Sequence, residues 1–131
     1  AVTLKEGKDV TLIATGLMVG RTLEAAKLLE NEGINAKVIN MHTIKPLDKE
    51  AVLNAVKETG AIVTAEEHSV IGGLGSAVAE FATQEAPAPV LKVGVEDVFG
   101  RSGPGADLLD LFGLNAENIV DKAKKAIDLK G

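Results

Sequence analysis

The sequence has no cysteine, no tryptophan and no tyrosine, and its aromatic residues are three phenylalanines. Without cysteine there can be no disulfide, no thiolate metal ligand and no thiol nucleophile. A core with so few aromatic side chains must be built from Val, Ile, Leu and Ala, and this composition is typical of a parallel sheet covered by helices.

Positive charge is also scarce, since 14 basic residues stand against 19 acidic ones and the net charge is −5. No basic cluster is interleaved with aromatic residues, so nucleic acid is not expected as a partner. No apolar run approaches the length that crosses a membrane and no signal peptide is visible, so we expect no membrane partner and a cytoplasmic location. The length predicts a single domain over residues 1–131.

Strand and helix signals alternate along the chain. Strands are predicted at 9–15, 36–41, 61–68 and 90–95, with a further short strand at Val2–Lys5. Three helices are predicted at 17–32, from Pro46 and Asp48 to Gly60, and at 73–86. A glycine-rich loop at 96–105 then leads to a short helix that ends at Phe112. A final helix begins after Asn115, which is predicted to cap it.

Helical spacing assigns the buried side of the first helix to Val19, Leu23, Ala26 and Leu29. Strands that are separated by helices of this length require right-handed parallel crossovers. We therefore predict an α/β fold with three layers, α/β/α, in which an open sheet carries helices on both faces.

Ligands of open α/β sheets gather where strands end and helices begin. The turn at 15–20 reads TGLMVG, which is neither a dinucleotide fingerprint nor a P-loop, and we interpret it as a tight turn. His42 also follows a strand but has no evident chemical partner nearby in the sequence.

A second turn, after the predicted third strand, is rich in small residues: Gly72, Gly73, Gly75 and Ser76. Exposed amides at the start of the following helix could bind an anion such as a nucleotide phosphate. The alternative is that these residues are small so that the helix can lie close to the sheet. The sequence leaves both interpretations open.

Glu66 and His68 precede this turn and share one face of the predicted strand with Thr64. A carboxylate and an imidazole could perform acid–base chemistry, but no nucleophile or set of metal ligands accompanies them. A hydrogen-bonding or interface role is therefore favoured, and we predict no catalytic, cofactor-binding or metal-binding residue in this chain.

Four ordered segments together resemble one family, and they are the runs EGKDVTLIATGLMV (6–19), INMHTIKPLD (39–48), IVTAEEHSVIGGLGSAVAE (62–80) and VGVEDVFGRSG (93–103). Over nearly the whole chain they resemble the C-terminal domain of thiamine-diphosphate-dependent transketolases, as a domain or as a separate subunit. The same domain closes 1-deoxyxylulose-5-phosphate synthase and the beta subunit of 2-oxoacid dehydrogenases. Those relatives usually differ around EEHS (66–69), so a transketolase is preferred.

The resemblance implies a mixed, mostly parallel sheet of five strands, with the strand at Val2–Lys5 antiparallel to the others. It also implies that thiamine diphosphate and Mg²⁺ lie between two other domains of the complete enzyme, which is expected to be dimeric and to transfer two-carbon ketol units between sugar phosphates. This domain would then contact other transketolase domains or subunits and would be inactive alone. A nucleotide-binding or partner-docking module remains the alternative from another functional class.

Overall fold

The computed structural model describes residues 1–16, 18–42, 47–69, 73–85, 88–95 and 116–130, without the side chains of 67–69, 84–85 and 94–95. The elements in chain order are β1 (Val2–Lys5), β2 (Val10–Ala14), α1 (Met18–Asn31), β3 (Ala36–Asn40), α2 (Lys49–Thr59), β4 (Ile62–Ser69), α3 (Leu74–Glu85), β5 (Val90–Val95) and α4 (Ala116–Lys130). The predicted loop at 96–105, the helix up to Phe112 and the cap at Asn115 lie outside the described residues. None of the described helices is long and apolar enough to span a membrane.

The five strands form one sheet in the order β1-β3-β2-β4-β5. Neighbouring strands among β2 to β5 are parallel, whereas β1 runs antiparallel to β3 at the edge. The predicted mixed five-stranded α/β sheet is thereby confirmed, including the short first strand.

Two apolar cores lie on the two faces of this sheet. Leu12 and Val63 belong to the core beneath α1 and α4, whereas Ile13 and Ile62 belong to the core beneath α2 and α3. Successive residues of one strand alternate between the two cores because side chains of a strand alternate between faces. A run of buried residues such as β2 therefore indicates a central strand that is covered on both sides.

The buried side of α1 differs from the prediction at Leu23, which is 40% exposed. Thr22 is buried instead, and its hydroxyl donates to the Met18 carbonyl at 2.6 Å. The threonine can enter the core because this bond satisfies its polar group within the helix. The rest of the predicted stripe is confirmed, since Ala26 and Leu29 are buried and Val19 packs against the core.

Glycines end two of the helices, as predicted. Gly33 and Gly60 have φ angles of 81° and 70°, in the left-handed region where glycine carries no Cβ penalty. At the other end of α2, the Asp48 carboxylate accepts the Ala51 amide at 3.0 Å and caps the helix.

The start of the chain is held to β3 by backbone contact. A Cβ on Gly7, which follows β1, would lie 2.4 Å from the Ala36 carbonyl carbon, so only glycine fits this close to the start of β3. Beside it, Lys37 is buried and forms an ion pair with Glu58 of α2. The segment after β1 therefore lies against β3, and Lys37 links β3 to α2.

The end of α4 is tied to the opposite end of the sequence. The Lys130 ammonium donates to the carbonyls of Asp9 and Thr59, both at 2.6 Å. Lys124, in the middle of α4, pairs with Glu32 at 2.6 Å. These bonds join α4 to α1, to the start of β2 and to the end of α2.

Candidate functional site

The described structure brings several of the candidate residues together where β4 approaches the start of α3. Glu66 is buried, with 1% of its surface exposed. Its Oε2 accepts the Leu74 amide at 2.6 Å and its Oε1 accepts the Gly75 amide at 3.3 Å. Leu74 and Gly75 are the first residues of α3, where backbone amides have no partner within the helix. The carboxylate therefore caps α3 and complements the positive end of its dipole.

Gly73 provides the space for this carboxylate. A Cβ at this position would lie 2.6 and 2.7 Å from the two carboxylate oxygens of Glu66. Side-chain carbons cannot approach oxygen so closely, so any larger residue at 73 would displace the cap.

Gly75 provides the close approach of α3 to the sheet. A Cβ there would lie 2.8 Å from both Thr64 Oγ1 and Lys92 Cγ. Thr64 and Lys92 are register partners on the parallel strands β4 and β5, so the first turn of α3 rests on both strands. The absence of a side chain at 75 fixes the distance between helix and sheet.

The hydroxyl of Thr64 is the polar group that the described structure leaves without a partner. The residue is 1% exposed, and among the described residues its Oγ1 has no hydrogen bond. A buried polar atom in this condition costs free energy comparable to a lost hydrogen bond. The Thr64 hydroxyl and the Glu66 carboxylate both lie next to Gly75, so the unpartnered group and the helix cap are at the same corner.

Glu66, Gly73 and Gly75 are thus in direct contact, and Ser76 follows in the first turn of α3. His68 lies on β4, but its side chain and all of Gly72 are outside what the structure describes. The predictions from sequence did not include Thr64 and Lys92 as contacts of this turn. The signal for Thr64 was its strand face, shared with Glu66, whereas Lys92 enters through the register of β5.

The described residues offer little to a metal ion or a diphosphate. No group of three or more acidic or histidine side chains within them is placed to hold a metal. The two α3 amides that point at the corner are already bonded to Glu66. An open cavity of about 190 Å³ lies elsewhere, between β1, β3 and α2, and is lined by residues that include Lys37, Asp48 and Asn54. Among the described residues, these observations assign no side chain to thiamine diphosphate or Mg²⁺.

The fold and this corner define a three-layer α/β domain with a helix capped by a buried strand carboxylate. The family profile described as "Transketolase, C-terminal domain" matches residues 1–119. The chain belongs to this family.

Curated relatives are similar over almost the entire chain. The 6-deoxy-6-sulfo-D-fructose transketolase subunit of Clostridium sp. (strain MSTE9) is 51% identical over 99% of this chain and 40% of its own length. A putative transketolase C-terminal section of Methanocaldococcus jannaschii is 44% identical over 91% of this chain and 37% of its own. The 1-deoxy-D-xylulose-5-phosphate synthase of Heliobacterium modesticaldum is 44% identical over 95% of this chain and 20% of its own. The chain thus spans two fifths or less of these relatives.

Solved structures agree with the family. A split-gene transketolase in the form of an inactive beta4 tetramer superposes with a TM-score of 0.92 at 55% identity, over 99% of this chain and 42% of its own. A transketolase of Pichia stipitis in complex with sedoheptulose 7-phosphate superposes with a TM-score of 0.71 at 23% identity, over 98% of this chain and 18% of its own. The second likeness shows the fold alone.

Proposed function

We propose that this chain is the C-terminal part of a transketolase-type enzyme that moves a two-carbon ketol unit from a ketose phosphate to an aldose phosphate. The observation that carries the proposal is the 51% identity with a transketolase subunit across 99% of the chain. A second named relative, one of the subunits of the apulose-4-phosphate transketolase of Phocaeicola vulgatus, is 42% identical over 94% of the chain. Both are described as subunits, which favours an enzyme assembled from more than one polypeptide.

Within that enzyme the chain acts as a structural and subunit-contact domain. The buried Glu66 carboxylate supports this role, because it already bonds the two described amides at the start of α3 and leaves them to the architecture of the domain. Thiamine diphosphate and Mg²⁺ then bind to other domains or to a partner subunit, and the chain alone is inactive. The complete enzyme is a cytoplasmic dimer in carbohydrate metabolism. The pathway that we propose for it is the pentose phosphate pathway. Glu66, His68 and the turn at 72–76 then belong to a corner near a domain interface.

The first test is reconstitution. The purified chain, used as bait, is incubated with lysate of its source, and captured chains are identified by mass spectrometry. The eluate is then assayed for ketol transfer with thiamine diphosphate and Mg²⁺, using fructose 6-phosphate and 6-deoxy-6-sulfofructose as donors. We expect capture of a chain that carries the Gly-Asp-Gly cofactor motif, with activity in the eluate and none in the bait. Ketol transfer by the bait alone would contradict the structural role.

A second candidate is the C-terminal domain of 1-deoxyxylulose-5-phosphate synthase. It is favoured by the Heliobacterium modesticaldum relative, which is 44% identical. That reaction releases CO₂ from pyruvate, whereas ketol transfer between sugars releases none. Assaying the same eluate with pyruvate and glyceraldehyde 3-phosphate therefore separates the two candidates. An enzyme that contains the beta subunit of a 2-oxoacid dehydrogenase would also release CO₂ from pyruvate, but would pass the acyl group to a lipoyl disulfide, which is reduced, and would form no sugar phosphate.

A nucleotide-binding or docking module is the remaining alternative. The Glu66 cap counts against a phosphate at the start of α3, since it already bonds two amides there. A thermal-shift titration with nucleotides tests it directly, because a ligand of the folded state raises the melting temperature with concentration. We expect no concentration-dependent shift.

A further inference from the structure

We propose that the corner between β4 and α3 is a seat for a small carboxylate, which the chain fills with its own Glu66. An external carboxylate the size of acetate takes this place when the Glu66 side chain is shortened. This inference concerns the chain itself and holds whichever reaction the complete enzyme performs.

The donors of the seat are present and are directed at one point. The amides of Leu74 and Gly75 converge on the two oxygens of a single carboxylate at 2.6 and 3.3 Å. Such amides bind a negative group whether it belongs to a ligand or to the chain, because the favourable interaction depends on charge and position. Glu66 therefore acts as a ligand that is tethered by its own strand.

Gly73 gives the seat its shape. The missing side chain leaves the room that the carboxylate oxygens occupy, and a Cβ would come within 2.7 Å of both. Gly73 is itself partly exposed, so this corner lies near the protein surface at that residue.

The Thr64 hydroxyl is a second, independent sign of a ligand-binding corner. It is buried and unpartnered among the described residues, and it points at the same turn, 2.8 Å from where a Gly75 Cβ would be. Buried polar groups nearly always have a hydrogen-bond partner, so an unpartnered one calls for an explanation such as a bound water or ion. Glu66 uses two donors of this corner and leaves Thr64 unused.

The size of the external ligand follows from the substitution. Replacing Glu66 by alanine removes one methylene and one carboxylate, which together have the heavy atoms of acetate. Acetate therefore refills the space and restores both amide bonds. Phosphate has a larger tetrahedral shape and fits the same space less well.

The test compares Glu66→Ala with Leu29→Ala. Leu29 is fully buried in the other core, so its substitution destabilises the protein without opening the corner. Melting temperatures are measured in sodium acetate, sodium phosphate and sodium chloride at one ionic strength. We expect acetate to raise the melting temperature of Glu66→Ala by about 3 °C or more above chloride, with saturation. Leu29→Ala and the unmodified chain should show no such difference.

Binding is also observed directly through the ligand. The resonance of ¹³C-labelled acetate should broaden with Glu66→Ala and stay sharp with the unmodified chain and with Glu66→Gln, whose side chain still fills the seat. Should Glu66→Ala be unfolded in chloride, circular dichroism in acetate replaces the melting curve, and acetate-dependent refolding is the expected result. An acetate response no larger than that of Leu29→Ala, or a failure to refold in acetate, overturns the proposal.

Discussion

Glu66 and Leu74 are eight residues apart in sequence, yet the carboxylate of one accepts the backbone amide of the other at 2.6 Å inside the protein. A helix cap is usually supplied by the residue just before the helix, as Asp48 does for α2. Here the capping side chain comes from the preceding strand. The Glu66–Leu74 hydrogen bond therefore satisfies the amide and also holds the start of α3 against β4.

Loss of this cap should be among the more damaging single changes in the domain. Glu66→Ala leaves two buried amides unpaired, and we expect a loss of about 2–4 kcal/mol in the free energy of unfolding. Glu66→Gln should lose about half as much, since it keeps one acceptor but turns an amide donor toward a second donor. Urea denaturation measures both, with Glu24→Gln as the exposed control that should change stability little. Equal stability of all three variants would contradict the capping role.

The two helical glycines at 75 and 20 should respond to alanine in opposite ways. Gly75→Ala forces a Cβ against Thr64 and Lys92, and we expect a loss of about 1–3 kcal/mol. Gly20, in α1, has nothing described within 4 Å of an added Cβ, so alanine there should gain about 0.5–1 kcal/mol through helix propensity. Thermal unfolding of both variants checks the sign, and a gain at 75 would mean that α3 does not rest on the sheet as described.

Two buried threonines make a matched pair for hydrogen bonding. Thr64→Val removes the unpartnered hydroxyl and should leave stability unchanged or raise it by up to about 1 kcal/mol. Thr11→Val removes a hydroxyl that is 2.8 Å from that of Thr59, and should lower stability by about 1 kcal/mol. Urea midpoints distinguish the two. A similar loss at both positions would show that Thr64 has a partner, such as a bound water.

Asp48 should make stability depend on acid. The Ala51 amide, which donates to the carboxylate, holds the pKa of Asp48 below its usual value. A carboxylate with a lowered folded pKa stabilises the protein above the unfolded pKa of about 3.9, and this contribution is lost as the pH falls through the folded value. Asp48→Asn should therefore be less stable than the unmodified chain near pH 6, with the gap closing below about pH 4.

Urea midpoints at pH 6 and pH 3 measure this gap. Asp121→Asn, an exposed substitution on α4, is the control for removing one surface carboxylate. Asp48→Ala should in addition lose the cap itself, about 1 kcal/mol at pH 6. A gap between the unmodified chain and Asp48→Asn that is constant with pH would rule out the charge as the cause.

The fold was predictable because each element has local signals in the sequence. Apolar runs bounded by glycine mark β2 and β4, and left-handed glycines at 33 and 60 stop the helices where the spacing ends. Leu23 was misplaced because helical spacing counts apolar residues, whereas a threonine whose hydroxyl bonds to its own helix can be buried in their place.

The candidate site was predictable only in part. Glu66 and the glycines were identified from their position at a strand end, but a cap that spans eight residues has no local sequence motif. The role of Lys92 could not be predicted either, because its contact with Gly75 depends on the register between β4 and β5. Local rules therefore located the corner, and only the three-dimensional structure gave its bonds.

The Lys130 ammonium bonds to the carbonyl of Asp9, a residue 121 positions earlier. During synthesis on the ribosome, the strand that follows Asp9 emerges long before α4 exists. Because β2 is the middle strand of the sheet and α4 covers one of its faces, the nascent domain exposes an apolar surface until the last turn of α4 has left the exit tunnel. Chaperone capture of the nascent chain should therefore persist until the apolar side of α4, from Ala116 to Ile127, has left the exit tunnel.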